Sequence, residues 1–372
     1  MKKPDFDAVL GALRTVNDPD LKKDLVTLNM VRDLKVFEDG KVSFRIVLTT
    51  PACPLKEQIK GDAEKAVKAV AGVGAVEILM DAEVKRPGAV PGANLANGIP
   101  GVAHIIAVSS GKGGVGKSTV SVNLATSLAL EGARVGLLDA DIYGPNIPTM
   151  MGVTENPKLY VDPVKGEMFE PPMSHGVKVM SMGFLVQGDQ PVIWRGPMLH
   201  NILNQFCTKV NWGELDYLVL DLPPGTGDVQ LSLAQMLPMT GAVIVTTPQE
   251  ISLQDVRKAL NMWDKVKVPA LGVVENMSWF TGDDGKRYQI FGEGGGEMLA
   301  KKFNTKLLAQ MPLVPSVREG GDVGKPIVVK ESSSESAILF RGLARAVAQD
   351  VAIRSSKNAS GPQLEIGAFG NS

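Results

Sequence analysis

The sequence predicts an α/β protein in which a mostly parallel sheet, covered by helices on both faces, follows a small N-terminal α+β domain. Three observations carry that prediction. From residue 104 onward, short β-branched runs alternate with segments of helical periodicity. Those runs are apolar on both faces, as strands sandwiched between helices must be. The first 85 residues hold a separate helix and hairpin pattern, and a Pro/Gly-rich stretch parts the two.

The small domain is expected over residues 4–85. Asp7 to Val16 places Val9, Leu10, Leu13 and Val16 at helical spacing, and Asn17-Asp18-Pro19 stops that helix. Val31–Phe37 and Lys41–Leu48 read as strands around the turn signal Glu38-Asp39-Gly40. Leu55–Val70 returns to helical periodicity, and Ala75–Leu79 reads as a third strand.

Residues 86–100 are rich in Pro, Gly and small side chains, which suits a linker. The large domain is expected over 101–354. Its strands are read at His104–Ser109, Arg134–Asp139, Tyr217–Asp221, Ala242–Thr246 and Ala270–Glu275. Helices are read between them at Lys117–Leu130, Val229–Met236, Ser252–Val266 and Gly294–Phe303, with a last one at Ser336–Ile353. The polar tail 355–372 is expected to be disordered.

Composition narrows the function classes. Lys+Arg total 39 against Asp+Glu 40, a net charge of -1, so no basic nucleic-acid footprint is present. No apolar run approaches the ~18 residues of a membrane span. The two cysteines, Cys53 and Cys207, make no disulfide framework. With no apolar signal core at the N-terminus, a cytoplasmic location is expected.

The strand ending at Ser109 runs into Gly111-Lys112-Gly113-Gly114-Val115-Gly116-Lys117-Ser118, followed by Thr119 in the helix. This is G-x-x-x-x-G-K-[ST] in its required strand–loop–helix setting, the phosphate-binding loop of a P-loop NTPase. The glycines let backbone N–H groups converge on phosphate oxygens, and the helix adds its positive end. Lys117 supplies an ammonium for the β- and γ-phosphates, and the Ser118 hydroxyl is a hard ligand for Mg²⁺. ATP with Mg²⁺ is the expected ligand pair. Lys112 is a second lysine inside the loop, suited to charge neutralisation.

Two strands end in acid. Leu137-Leu138-Asp139-Ala140-Asp141 and Val219-Leu220-Asp221 put carboxylates where parallel sheets bind ligands, at strand C-termini. Asp221 is expected to hold Mg²⁺ through water. Pro223-Pro224-Gly225-Thr226-Gly227 after it makes a turn suited to sensing a γ-phosphate.

These segments carry a family resemblance. The GKGGVGKST loop resembles the deviant Walker A motif of the MinD/ParA/nitrogenase-iron-protein ATPases, and within them the Mrp/ApbC family of iron–sulfur cluster carriers. LLDADIYGPNIPTMMG at 137–152, WRGPM at 194–198, DYLVLDLPPGTGD at 216–228, ENMS at 275–278, IFGEGGG at 290–296 and PLVPSVREGGDVGKPIV at 312–328 are similar to that family. Residues 4–85, with Thr49-Thr50-Pro51-Ala52-Cys53-Pro54, resemble the small cluster-assembly domain often fused in front. The resemblance implies a homodimer enclosing two ATP molecules and transfer of clusters to apo-iron–sulfur client proteins. It implies that Lys112 reaches the partner's phosphates, that Asp141 or Asp139 positions the attacking water, and that Asn276 contacts adenine.

One departure stands out. The family's C-x-x-C shortly after ENMS is missing: Ser278 to Gln289 contains no cysteine. Thiolates suit iron, and Asp283 and Asp284 are poor substitutes. Cys53 is the thiol left in a family-like motif. It is expected at a strand–helix turn, where a helix N-terminus would lower its pKa. Two readings of it stay open: an unligated thiol, or one of two thiolates that a dimer offers an iron–sulfur cluster. Cys207, in an apolar stretch, reads as a core thiol.

Three functions therefore compete. The first is an ATP-hydrolysing cluster carrier. The second is a MinD/ParA-like positioning ATPase, which the missing membrane and DNA surfaces disfavour. The third is an ATP-gated scaffold that carries no cluster.

Overall fold

The computed structural model describes residues 3–84, 98–142, 144–185 and 196–359. Two compact units emerge, described in turn: the residues up to 84 together with those from Gln349 onward, and the residues between them.

In the small unit, α1 (Phe6–Leu13), β1 (Val31–Val36), β2 (Lys41–Leu48), α2 (Lys56–Lys68) and β3 (Ala75–Ala82) follow in order. Strand order is β1-β2-β3, antiparallel then parallel, because α2 supplies the crossover that a parallel neighbour needs. Val42, Phe44, Ile46 and Leu48 alternate inward on β2 and meet Val9 and Leu13 of α1 and Ile59, Ala63 and Val67 of α2. The alternation is the period of two that the sequence displayed.

In the large unit the sheet strands are β4 (Val102–Ser110), β5 (Val135–Asp139), β6 (Met173–Ser174), β7 (Val177–Ser181), β8 (Leu215–Asp221), β9 (Gly241–Thr246), β10 (Ala270–Glu275) and β11 (Leu307–Gln310). Their order is β6-β7-β5-β8-β4-β9-β10-β11, parallel except for the β6–β7 pair. Helix α3 (Lys117–Leu130) links β4 to β5 in one direction. Helix α4 (Asp228–Met236) links β8 to β9 in the other, and α5 (Glu250–Lys265) links β9 to β10. Right-handed crossovers running in opposite directions place their helices on opposite faces of the sheet. Every residue of β5, β8 and β9 is buried as a result. The reversal of direction at β4 opens the crevice where such sheets bind ligands.

Two boundaries differ from expectation. The last helix, α6 (Glu335–Ala359), continues past Ile353, so residues 355–359 of the expected disordered tail are helical, while 360–372 lie outside the described residues. From Gln349 this helix belongs to the small unit, so the large unit ends near 348 instead of 354. The physical reason is contact: the Gln349 amide donates to Asp20 Oδ1 at 2.6 Å. Most of the expected linker 86–100 lies outside the described residues, as do Trp194 and Arg195. Among the described residues no helix is long and apolar enough to cross a membrane.

Candidate functional site

The nucleotide loop leaves β4 at Ser110 and enters α3 at Lys117. Two of its glycines are demanded by the backbone. At Gly111 a Cβ would fall 2.4 Å from the backbone of Asp255 and Val256, because α5 packs directly on the loop. At Gly116 φ is +82°, in the left-handed region, and a Cβ would fall 2.2 Å from Asn276 Nδ2. That Asn276 nitrogen donates to Val115 O at 2.9 Å, so the end of β10 pins the loop from below. Ser110 Oγ donates to Lys112 O at 3.0 Å and fixes the loop's entry. Gly113 and Gly114 are exposed, Lys112, Ser118 and Thr119 half-buried, and Val115 and Lys117 buried.

Parallel register brings the acids together. Asp221 ends β8 opposite Asp139 of β5 on one side and Val108 of β4 on the other. Lys117 Nζ lies 2.8 Å from Asp221 Oδ2 and 3.3 Å from Asp141 Oδ2. Ser118 Oγ donates to Asp221 Oδ2 at 2.6 Å. Two carboxylates thus face one buried ammonium, and the surplus negative charge favours a divalent cation. The donor set of Ser118 hydroxyl and Asp221 carboxylate consists of hard oxygens, which fits Mg²⁺.

Asp139 is fully buried and does different work. Its Oδ1 accepts from the Asp141 N–H at 3.1 Å, and its Oδ2 accepts from Ser181 Oγ at 2.8 Å and the Ile147 N–H at 3.3 Å. Burial first, then the charge of Asp221, pushes its carboxyl up to about 8 against the pull of those hydrogen bonds. Asp139 therefore sets the backbone that carries Asp141, while Asp141 is the carboxylate beside Lys117.

Comparison with known proteins identifies the family. Residues 101–348 match the model of the ParA family, described as NUBPL iron-transfer P-loop NTPase. The chain belongs to the iron-transfer P-loop NTPases. Residues 7–78 match a second model, described as iron–sulfur cluster assembly protein. An iron–sulfur cluster carrier protein of Synechocystis sp. is 53% identical over 93% of this chain and 98% of its own length. Another, of Deinococcus radiodurans, is 47% identical over 94% of this chain and 96% of its own. A nucleotide-binding protein from Archaeoglobus fulgidus, solved in complex with ADP, is 39% identical, with a TM-score of 0.56 over 65% of this chain and 93% of that one.

In this iron-transfer NTPase, side chains outside the phosphate-loop motif also meet the site acids and the turn after them. Ser121 Oγ donates to Asp221 Oδ1 at 2.6 Å. It stands one turn beyond Ser118 on α3, a spacing that was legible as one helix face. Ser181, at the end of β7, reaches Asp139 from 42 residues away and left no local signal. Gln230 of α4 reaches back to the turn after Asp221.

The thiols divide as follows. Cys207 is buried, and burial pushes its thiol up to about 12, as a core cysteine. Cys53 is half-buried beside Asp18 and Asp20, in a cavity that Thr50, Met30 and Gln349 also line. Its pKa is raised, not lowered as expected for a helix start. Burial outweighs the hydrogen bond from the Leu55 backbone, and the charges of Asp18 and Asp20 add to it. The segment that replaces C-x-x-C forms a small hairpin, Phe280–Thr281 against Arg287–Tyr288, with Arg287 stacked 4.4 Å from the Trp279 ring. Asp284 Oδ2 accepts from the Tyr288 hydroxyl and Oδ1 from the Lys286 N–H, so this acid is engaged in its own turn. Of the histidines, His104 stacks on Tyr217 inside the sheet and His175 bonds the Gly324 carbonyl.

Proposed function

We propose that the chain is an ATP-hydrolysing iron–sulfur cluster carrier, which works as a homodimer and delivers clusters to apoproteins. The observation that carries this reading is the convergence of Lys117, Ser118, Asp141 and Asp221 at the mouth of an intact phosphate loop. Sequence kinship to cluster carriers over nearly the whole chain supports the cargo.

In this reading the loop amides Gly111–Ser118 bind the phosphates, and Lys117 turns from Asp221 toward the β- and γ-oxygens. Ser118 and Asp221 would hold Mg²⁺, which supplies positive charge to the phosphoryl oxygens. Asp141 accepts a hydrogen bond from the attacking water, and Asp139 keeps Asp141 in place. Lys112 offers its ammonium to the phosphates of the partner copy, stabilising transition-state charge in trans. Asn276, held to Val115 through its nitrogen, keeps its amide oxygen for adenine.

The cluster is cargo, and each chain brings it one half-buried thiol, Cys53. Further thiolates would come from the second copy, a small thiol or the client. The engaged hairpin at 280–288 also favours a second reading, a nucleotide-gated scaffold without a cluster of its own. Anaerobic reconstitution with iron and sulfide analysis, then transfer to an apo-ferredoxin with and without ATP, separates the two. ATP-dependent transfer, lost in Cys53→Ser, supports the carrier; ATP turnover without bound iron supports the scaffold.

A further inference from the structure

The turn after Asp221 is held by one side chain that neither the family match nor the phosphate-loop motif assigns. Leu222 N–H donates to Val108 O at 3.1 Å and Gly225 N–H to Ser110 O at 2.9 Å, which ties the turn to the strand feeding the nucleotide loop. Gln230, 1% exposed, folds back from α4 beneath it. Its single nitrogen donates to Pro223 O at 2.6 Å and to Gly225 O at 2.8 Å, so both amide hydrogens are used. Its Oε1 is buried and has no hydrogen-bond partner among the described residues.

A buried acceptor left unmade costs on the order of 1–3 kcal/mol, so this arrangement is incompletely satisfied. Gly227, beside that oxygen, and Gly225, at φ +95°, are backbone positions able to re-aim their N–H groups. The Gly225 N–H is the donor spent on Ser110, the last residue of the strand that feeds the nucleotide loop.

We propose that Gln230 is a positioning residue for nucleotide turnover: its amide clamps the Pro223–Gly225 turn, and its unsatisfied oxygen makes this setting one of two. A triphosphate that claims the Gly225 N–H moves the turn to the second setting, in which a backbone N–H reaches Oε1. A diphosphate, lacking the terminal group, leaves the turn as it stands. Glutamine is required because one nitrogen must serve two carbonyls; leucine has no donor and a carboxylate would repel both.

This inference rests on the ATP-hydrolysis reading, and the test separates the two. The full chain, Gln230→Leu and Gln230→Glu are compared for ADP affinity by calorimetry, for kcat and for melting temperature. We expect ADP affinity within about twofold of wild type and kcat lower by at least about tenfold in both variants. A neutral carboxyl can donate one hydrogen bond and a carboxylate none. The kcat of Gln230→Glu relative to wild type therefore rises as pH is lowered from about 8 to about 6, a signature that Gln230→Leu lacks. Wild type that hydrolyses ATP while both variants match it overturns the role of Gln230. So does a loss of ADP affinity in parallel with kcat, which marks general disruption. Wild type that binds but does not hydrolyse ATP overturns the underlying reading and this inference with it.

Discussion

Lys117 Nζ lies 2.8 Å from Asp221 Oδ2, so the ammonium proposed for phosphate and the carboxylate proposed for Mg²⁺ neutralise each other inside the protein. Lys117 is 6% exposed and Asp221 not at all. Removing one partner strands a buried charge, at a cost of about 3–5 kcal/mol. Lys117→Ala is therefore expected to melt well below wild type without nucleotide and to lose ATP binding in calorimetry. Unchanged melting would show that the pair contributes nothing to stability.

Gly116→Ala meets two obstacles: a φ of +82° and Asn276 Nδ2 only 2.2 Å away. The left-handed conformation alone costs an L-residue about 1–2 kcal/mol. The variant is expected to lose nucleotide affinity, and Asn276→Ala on top of it to restore only part, since the steric clash goes while the strain stays and the Asn276 amide is lost from the site. Full restoration in a binding titration would refute the role given to φ.

Asp139 and Asp141 should part company on substitution. Asp139→Ala leaves the Asp141 N–H, the Ile147 N–H and Ser181 Oγ buried without their acceptor, and its chief effect is a lower melting temperature. Asp141→Asn keeps the fold and lowers kcat by about 100-fold or more, as loss of a water-positioning carboxylate does. Equal effects of the two on kcat, at equal stability, would contradict the division of labour.

Asp139 also sets a pH dependence. Its carboxyl sits at about 8 in the folded protein against 3.8 for the free group. Between those values the folded state holds a proton that the unfolded chain has released. Stability from this group is thus present at the low end and declines as pH rises toward 8. Asp139→Asn, which cannot titrate, should flatten that decline in melts of nucleotide-free protein.

The two thiols should label slowly and at different rates. With Cys207 at about 12 and burial raising the Cys53 thiol from its ordinary value, alkylation at neutral pH is slower than for a free thiol, and Cys207 is slowest. Below its pKa, the Cys53 rate climbs roughly tenfold per pH unit as thiolate accumulates. Rapid labelling of Cys53 at pH 7, read by mass spectrometry, would reveal a thiolate and contradict the raised pKa of this thiol.

The phosphate loop and the strands and helices around it were readable because their signals are local: glycine positions, a lysine and serine at fixed spacing, runs of Val and Ile. Val177–Ser181 and Leu307–Gln310 are not legible as strands in the sequence, since each is short and gains its place by pairing with Val135–Asp139 and Ala270–Glu275. The contact of Ser181 with Asp139 depends on that same strand order. Cys53 shows how a local rule loses: a helix start favours the thiolate, but burial and two nearby aspartates, all set by tertiary packing, favour the thiol. Gln230 was hidden because its partners are carbonyls, which no residue identity announces.

Gln349 meeting Asp20 means that the small unit is sewn from two stretches of chain 329 positions apart. A fragment that stops in the Pro/Gly stretch would lack its closing stitch, and trimming the chain at residue 348 would be felt more than 300 positions upstream, where the Asp20 carboxylate loses the Gln349 amide.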